Sequence, residues 1–140
     1  MRTALAAGIG ERLQSLSLGQ RFYVLVFPGL SIPTSTVFSD PDLRRDSQPV
    51  TLGDARVGRG RNDFEPVVRR AWPEMNRAFE RLSDWGRPRL TGTGSGIFLP
   101  MPGAREAGRA AAEIKSLYNC RAAAGVDRSL LHENLYTGGA

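Results

Sequence analysis

One cysteine, one histidine and one lysine among 140 residues leave little of the chemistry on which active sites are usually built. Cys120 has no partner for an internal disulfide, and Cys120 with His132 falls short of any common zinc set made from Cys and His. No metal site is expected, and Cys120 reads as a structural thiol in a reducing compartment. His132 stands in a polar, tail-like segment and reads as a solvated imidazole. A single histidine with no placed serine or carboxylate gives no catalytic triad. No stretch approaches the roughly 20 apolar residues that span a bilayer. The alanine-rich opening Thr3 to Ala7 is cut short by Glu11-Arg12 before a secretory signal could develop, so a cytoplasmic location is expected.

What remains is ordinary for a folded chain. Hydrophobic residues make up 41% and charged residues 24%, and the length suits a single compact domain. Lysine and arginine together number 19 against 14 acids, giving a formal charge of +5, with all but Lys115 being arginine. That balance permits polyanionic partners, and a small basic nucleic-acid-binding module is one reading of it. The arginines are nevertheless spread as Arg44-Arg45, Arg56/Arg59/Arg61, Arg69-Arg70, Arg87/Arg89 and Arg105/Arg109, with acids between them. No concentrated basic tail forms, so nucleic acid is the weaker expectation.

Arg21 to Phe27 is rich in aromatic and β-branched residues and stops at Pro28-Gly29, which predicts a buried strand. A short helix is expected near Ser31 to Phe38, with Pro33 in its first turn and Thr34 to Thr36 available as caps. Ser39 to Arg61 is polar and carries Gly53, Gly58 and Gly60, which predicts a long surface loop. A helix follows from about Asp63 to Ala71, capped by Asn62-Asp63. Pro73 restarts another, whose Met75, Ala78, Phe79 and Leu82 share one face and which ends near Gly86. Arg89 to Thr91 and Ile97 to Leu99 read as strands joined by a glycine turn. Alanine-rich 104–116 reads as the last long helix and 117–122 as a final strand. The order predicts an α+β fold, an antiparallel sheet with helices packed on one face. Tyr23, Trp72 and Trp85 read as core or near-core aromatics.

Thr91-Gly92-Thr93-Gly94-Ser95-Gly96 is the segment whose composition asks for a reason. Alternate glycines let backbone approach a ligand closely and can turn successive N–H groups toward an anion. The spacing is neither a dinucleotide fingerprint nor a P-loop, since no helix follows directly and no Lys-Ser/Thr pair is present. A tight turn that needs glycine only for positive φ fits the spacing equally well. Asp63 and Glu65, at a helix start, read by default as capping and dipole groups.

Several segments in order resemble one family, the 4-diphosphocytidyl-2-C-methyl-D-erythritol kinases of the GHMP kinase superfamily. Gly8-Ile9-Gly10-Glu11 resembles the family's Gly-x-Gly-Glu. Pro28 to Thr34 with Val37-Phe38 resembles its Pro-Gly-(Val)-x-(Val/Ile)-(Pro/Ser)-Thr-x-x-(Val/Ile)-Phe, and Asp40 to Arg45 the Pro-Glu-Leu-x-Arg that follows. Asn62-Asp63-Phe64-Glu65 is similar to its Asn-Asp-(Leu/Cys)-Glu, and Arg89 to Phe98 to its third, glycine-rich motif. Ser129 to His132 resembles its Ser-Pro-Leu-His ending, with leucine for proline.

The resemblance runs from about Thr3 to His132. It implies a GHMP kinase C-terminal domain over 19–132, preceded at 1–18 by a remnant of the end of the N-terminal domain and followed by a flexible tail at 133–140. It implies transfer of the γ-phosphoryl group of ATP to the 2-hydroxyl of the cytidylated methylerythritol substrate, in isoprenoid precursor synthesis. By the same resemblance Thr91, Gly92, Thr93, Gly94, Ser95 and Gly96 would support the nucleotide, while Thr34, Asn62 and Asp63 would lie on the substrate side. The family's glycine-rich ATP loop, catalytic lysine and catalytic aspartate lie upstream of the matching region, so no catalytic residue is assigned within this chain. ATP with magnesium is expected to bind fully only alongside that N-terminal domain. A shifted start codon, an interrupted gene and a stand-alone domain each fit the short form. Self-association through an exposed domain interface is also expected.

Overall fold

The computed structural model describes residues 2–129; His132 and the tail lie outside them. In chain order the elements are β1 (Ala4–Ala7), β2 (Arg12–Ser15), β3 (Arg21–Phe27), α1 (Thr34–Phe38), α2 (Leu52–Arg56), α3 (Phe64–Ala71), α4 (Pro73–Leu82), a 3-10 turn (Ser83–Trp85), β4 (Arg89–Leu90), β5 (Ile97–Met101), α5 (Ala104–Ile114) and β6 (Asn119–Gly125). They fall into two units, one of residues 2–21, 49–60 and 125–129 and one of 22–48 and 61–124.

In the second unit the sheet runs β4-β5-β3-β6, so the inserted β5 separates β3 from β4. This is the strand order of a split β-α-β-β-α-β motif. β5 is antiparallel to both of its neighbours. Register sorts the faces, because side chains alternate along a strand. Val24 lies opposite Leu99, and Ile97 opposite both Val26 and Leu90. All five are buried, under Val67, Val68, Met75, Phe79, Leu82, Ala107 and Ile114 of the helices. Tyr23, Leu25 and Phe98 point the other way and stay only partly buried. The expected α+β sandwich, helices on one face, is the observed one.

Local chemistry explains the helices. Pro73 occupies the first turn of α4, where its missing N–H costs nothing, and Gly86 closes the following turn at φ +146°. α1 differs from expectation in its start, for Pro33 stands at the cap position and no threonine side chain caps it. α3 likewise places Asp63 at its cap without a side-chain bond; the Asn62 carboxamide oxygen accepts from the Phe64 N–H at 3.0 Å instead. The Cys120 thiol donates to the Ala111 carbonyl at 3.3 Å, and burial pushes its pKa up.

The first unit corrects the expected loop over 39–61, which contains α2. Thr51 accepts from the Asp54 N–H while the Asp54 carboxylate accepts from the Thr51 N–H, a capping box that secures this single turn. β1 and β2 form a separate two-stranded antiparallel sheet. Beside it, the Asp127 carboxylate accepts from the Ser17 hydroxyl and from the N–H groups of Leu18 and Gly19. These bonds, the Ser17 hydroxyl first, hold the Asp127 pKa below the ordinary carboxylate range. Leu13, Val57 and Val126 of this unit remain exposed.

Candidate functional site

β4 ends at Leu90 and β5 begins at Ile97, so the glycine segment is the connection between two paired strands. Inside it the Thr91 N–H donates to the Gly96 carbonyl at 3.0 Å and the Gly94 N–H to the Thr91 carbonyl at 3.1 Å. The N–H groups of Gly92, Thr93, Ser95 and Gly96 take no part in these bonds. A loop so folded offers donors to an anion.

Glycine is required here for two different reasons. Gly92 has φ +57° with open space around its Cβ position, so only its backbone conformation asks for glycine. At Gly94 φ is +96° and a Cβ would lie 2.9 Å from Ile32 Cδ1 and 3.3 Å from Leu90 Cδ1. Gly96 needs the space alone, with Thr91 Cγ2 at 2.9 Å. The positive φ that the turn reading expects is found at Gly92 and Gly94, and close packing adds a separate demand at Gly94 and Gly96.

Two elements hold the loop. From α1, the Thr34 hydroxyl shares a hydrogen bond with the Thr93 hydroxyl at 3.0 Å. From the start of α3, the Asn62 amide donates to the carbonyls of Leu90 at 3.1 Å and Gly92 at 2.7 Å, and the Glu65 carboxylate accepts from the Leu90 N–H at 3.1 Å. The structure thus brings together Thr34, Asn62 and the loop 91–96. Asp63 stands apart from these bonds and pairs with Arg61 at 3.0 Å. Glu65, which the sequence offers only as a helix-start carboxylate, grips the strand end instead. Phe38, half-exposed at the end of α1, meets the Phe64 ring edge-on with centroids 4.8 Å apart.

Two concavities are lined by none of these residues. One, of about 430 Å³, is bounded by Arg2, Ser15, Leu16, Ser17, Asp127 and Arg128. The other, of about 220 Å³, lies among Pro28, Leu30, Glu74, Arg77, Arg81 and Tyr118. No group of three or more His, Cys, Asp or Glu side chains is gathered among the described residues.

No family model matches the sequence. The chain is 42% identical over 137 residues to the 4-diphosphocytidyl-2-C-methyl-D-erythritol kinase of Halorhodospira halophila, covering 96% of this chain and 48% of that protein. Its identity to the protein of the same name from Chromohalobacter salexigens is 40% over 139 residues, covering 95% and 47%. A crystal structure of 4-(cytidine 5'-diphospho)-2C-methyl-D-erythritol kinase superposes with a TM-score of 0.73 at 29% identity, covering 88% of this chain and 49% of that one. The chain corresponds to the C-terminal part of the 4-diphosphocytidyl-2-C-methyl-D-erythritol kinase family. It spans about half the length of the curated relatives it matches. The α+β architecture is that of this kinase family, and the nucleic-acid reading of the charge gains no support from it. No helix among the described residues is long and apolar enough to cross a membrane.

Proposed function

We propose that this chain forms the C-terminal share of a small-molecule kinase that phosphorylates the 2-hydroxyl of 4-diphosphocytidyl-2-C-methyl-D-erythritol in isoprenoid precursor synthesis. The observation that carries the reading is the 42% identity sustained over 96% of the chain. In the reaction the substrate's hydroxyl oxygen forms a bond to the γ-phosphorus of ATP and gives up its proton to a base, the bond to the β-phosphate oxygen breaks, and ADP leaves. Catalysis of this kind rests on positioning and on stabilising spread charge. The N–H groups of the 91–96 loop suit the nucleotide phosphates, with magnesium bound to ATP supplying charge neutralisation. Thr34, tied to Thr93, suits the substrate side, with Asn62 supporting the loop and Asp63 next to it in sequence.

The test is a titration of Mg-ATP into the purified chain, followed by amide shifts and repeated at two salt concentrations. Weak binding that moves Gly92 to Gly96 before other residues is the expected result. Shifts elsewhere with the loop unmoved would sink the assignment. RNA binding that weakens steeply with added salt would instead favour the basic-module reading, because counterion release produces that slope. Phosphoryl transfer to the substrate by this chain alone is expected to stay at the blank.

A further inference from the structure

Asn62 belongs to neither strand nor loop, yet all of its donors are spent on them. Its carboxamide has two N–H donors and one carbonyl oxygen. The donors reach the Leu90 and Gly92 carbonyls, and the oxygen accepts from the Phe64 N–H. This network fixes which end of the amide is which. A flipped amide would set its oxygen against two carbonyl oxygens and its nitrogen against an N–H.

Peptide planarity extends the consequence one residue further. In a trans peptide the carbonyl of one residue and the N–H of the next point in opposite directions. Holding the Gly92 carbonyl toward Asn62 therefore aims the Thr93 N–H away from it, and holding the Leu90 carbonyl aims the Thr91 N–H away likewise. The Thr91 N–H spends itself on Gly96 inside the loop; the Thr93 N–H does not. Thr93 is also the residue whose hydroxyl meets Thr34.

We infer that Asn62 is a positioning residue that orients the Thr93 N–H for an anionic ligand, a phosphate by preference, and does not itself touch the ligand. Its meaning for catalysis rests on the nucleotide reading of the loop given above. With no donor left, Asn62 has nothing to offer a phosphate. This gives it a part different from the substrate-side place that the resemblance implies.

Asn62→Asp separates this role from simple helix capping. The carboxylate still accepts from the Phe64 N–H but cannot donate to either carbonyl, whereas Asn62→Ala loses both. Hydrogen exchange of assigned amides is the readout, with Mg-ATP titration beside it. The expected result for Asn62→Asp is at least tenfold faster exchange at the Thr91 and Gly94 N–H groups, with the α3 amides within twofold of wild type, and tenfold weaker Mg-ATP binding. Unchanged loop exchange, or an equal rise throughout α3, overturns the inference. In the wild-type chain, an Asn62 side-chain amide protected from exchange beside an unprotected Thr93 N–H supports it. The reverse pattern refutes it even if the variant does not fold. Raised loop exchange in a chain whose wild type takes no Mg-ATP would leave the orienting role standing and remove the nucleotide reading instead.

Discussion

Replacing Gly94 by alanine isolates what the loop demands of its glycines. The residue sits at φ +96°, where an L side chain is strained, at a cost of order 1–3 kcal/mol. The new methyl would also lie 2.9 Å from Ile32 Cδ1 and 3.3 Å from Leu90 Cδ1. Both are side-chain termini, so part of the clash is relieved by movement, at an overpacking cost of roughly 1–3 kcal/mol. The sum, about 2–6 kcal/mol, is a large part of the roughly 5–15 kcal/mol that typically holds a domain together. Gly92→Ala supplies the control, because φ is +57° there and nothing lies within 4 Å of the added methyl. It should cost only the backbone term, about 1–2 kcal/mol. Urea unfolding of both variants, followed by tryptophan fluorescence, measures the difference. If Gly94→Ala proves no more destabilising than Gly92→Ala, the packing of Ile32 and Leu90 against the loop is not what the geometry says it is.

Two further outcomes follow from the core and from charge. Phe79, 2% exposed and lying beneath the Arg69 guanidinium at 4.9 Å from its ring centroid, should cost about 3–5 kcal/mol when cut to alanine in the same unfolding assay. Because the folded pKa of Asp127 lies below its ordinary 3.8, the protection of the Leu18 and Gly19 amides should be complete above that value and lost as pH falls through the lower folded pKa. Exchange measured against pH checks this, and Asp127→Asn should flatten the dependence.

Much of the second unit is legible from local pattern. The β-branched and aromatic run of β3, the proline restart of α4 and the alanine-rich α5 each carry their signal within a dozen residues. Shorter elements escape. α2 is a single turn whose Thr51 and Asp54 box is hidden among glycines and polar residues that read as loop. β1 and β2 are written largely in alanine and polar residues, without the β-branched run that marks β3. The site divides the same way. Its glycines are conspicuous, and Asn62 is visible as a helix-start residue, but its two bonds to the loop reach 28 and 30 residues along the chain. Glu65 is missed for the same reason, reaching 25 residues to Leu90. Spacing along a sequence carries no trace of contacts that only tertiary packing creates.

The same packing decides what kind of attraction the loop can exert. Many arginines are already engaged: Arg44 with Asp46, Arg59 with Asp54, Arg61 with Asp63, Arg70 with Asp40 and Asp42, Arg77 with Glu74. Exposed pairs of this sort add little stability, and the +5 is what the chain carries after its 14 acids have been counted against its 19 bases. The side chains that hold the loop are Thr34, Asn62 and Glu65, and none carries positive charge. An anion there would be held by directed N–H groups, whose strength depends on orientation far more than on ionic strength. That is the kind of contact that fixes a phosphate in one place and one attitude, and it differs in kind from the diffuse attraction by which a basic surface gathers a polyanion. Phosphoryl transfer needs the first and also needs cationic charge on the transferring group. On the nucleotide reading proposed above the loop would contribute aim, and the charge would have to come with the nucleotide's magnesium or from groups outside these three residues.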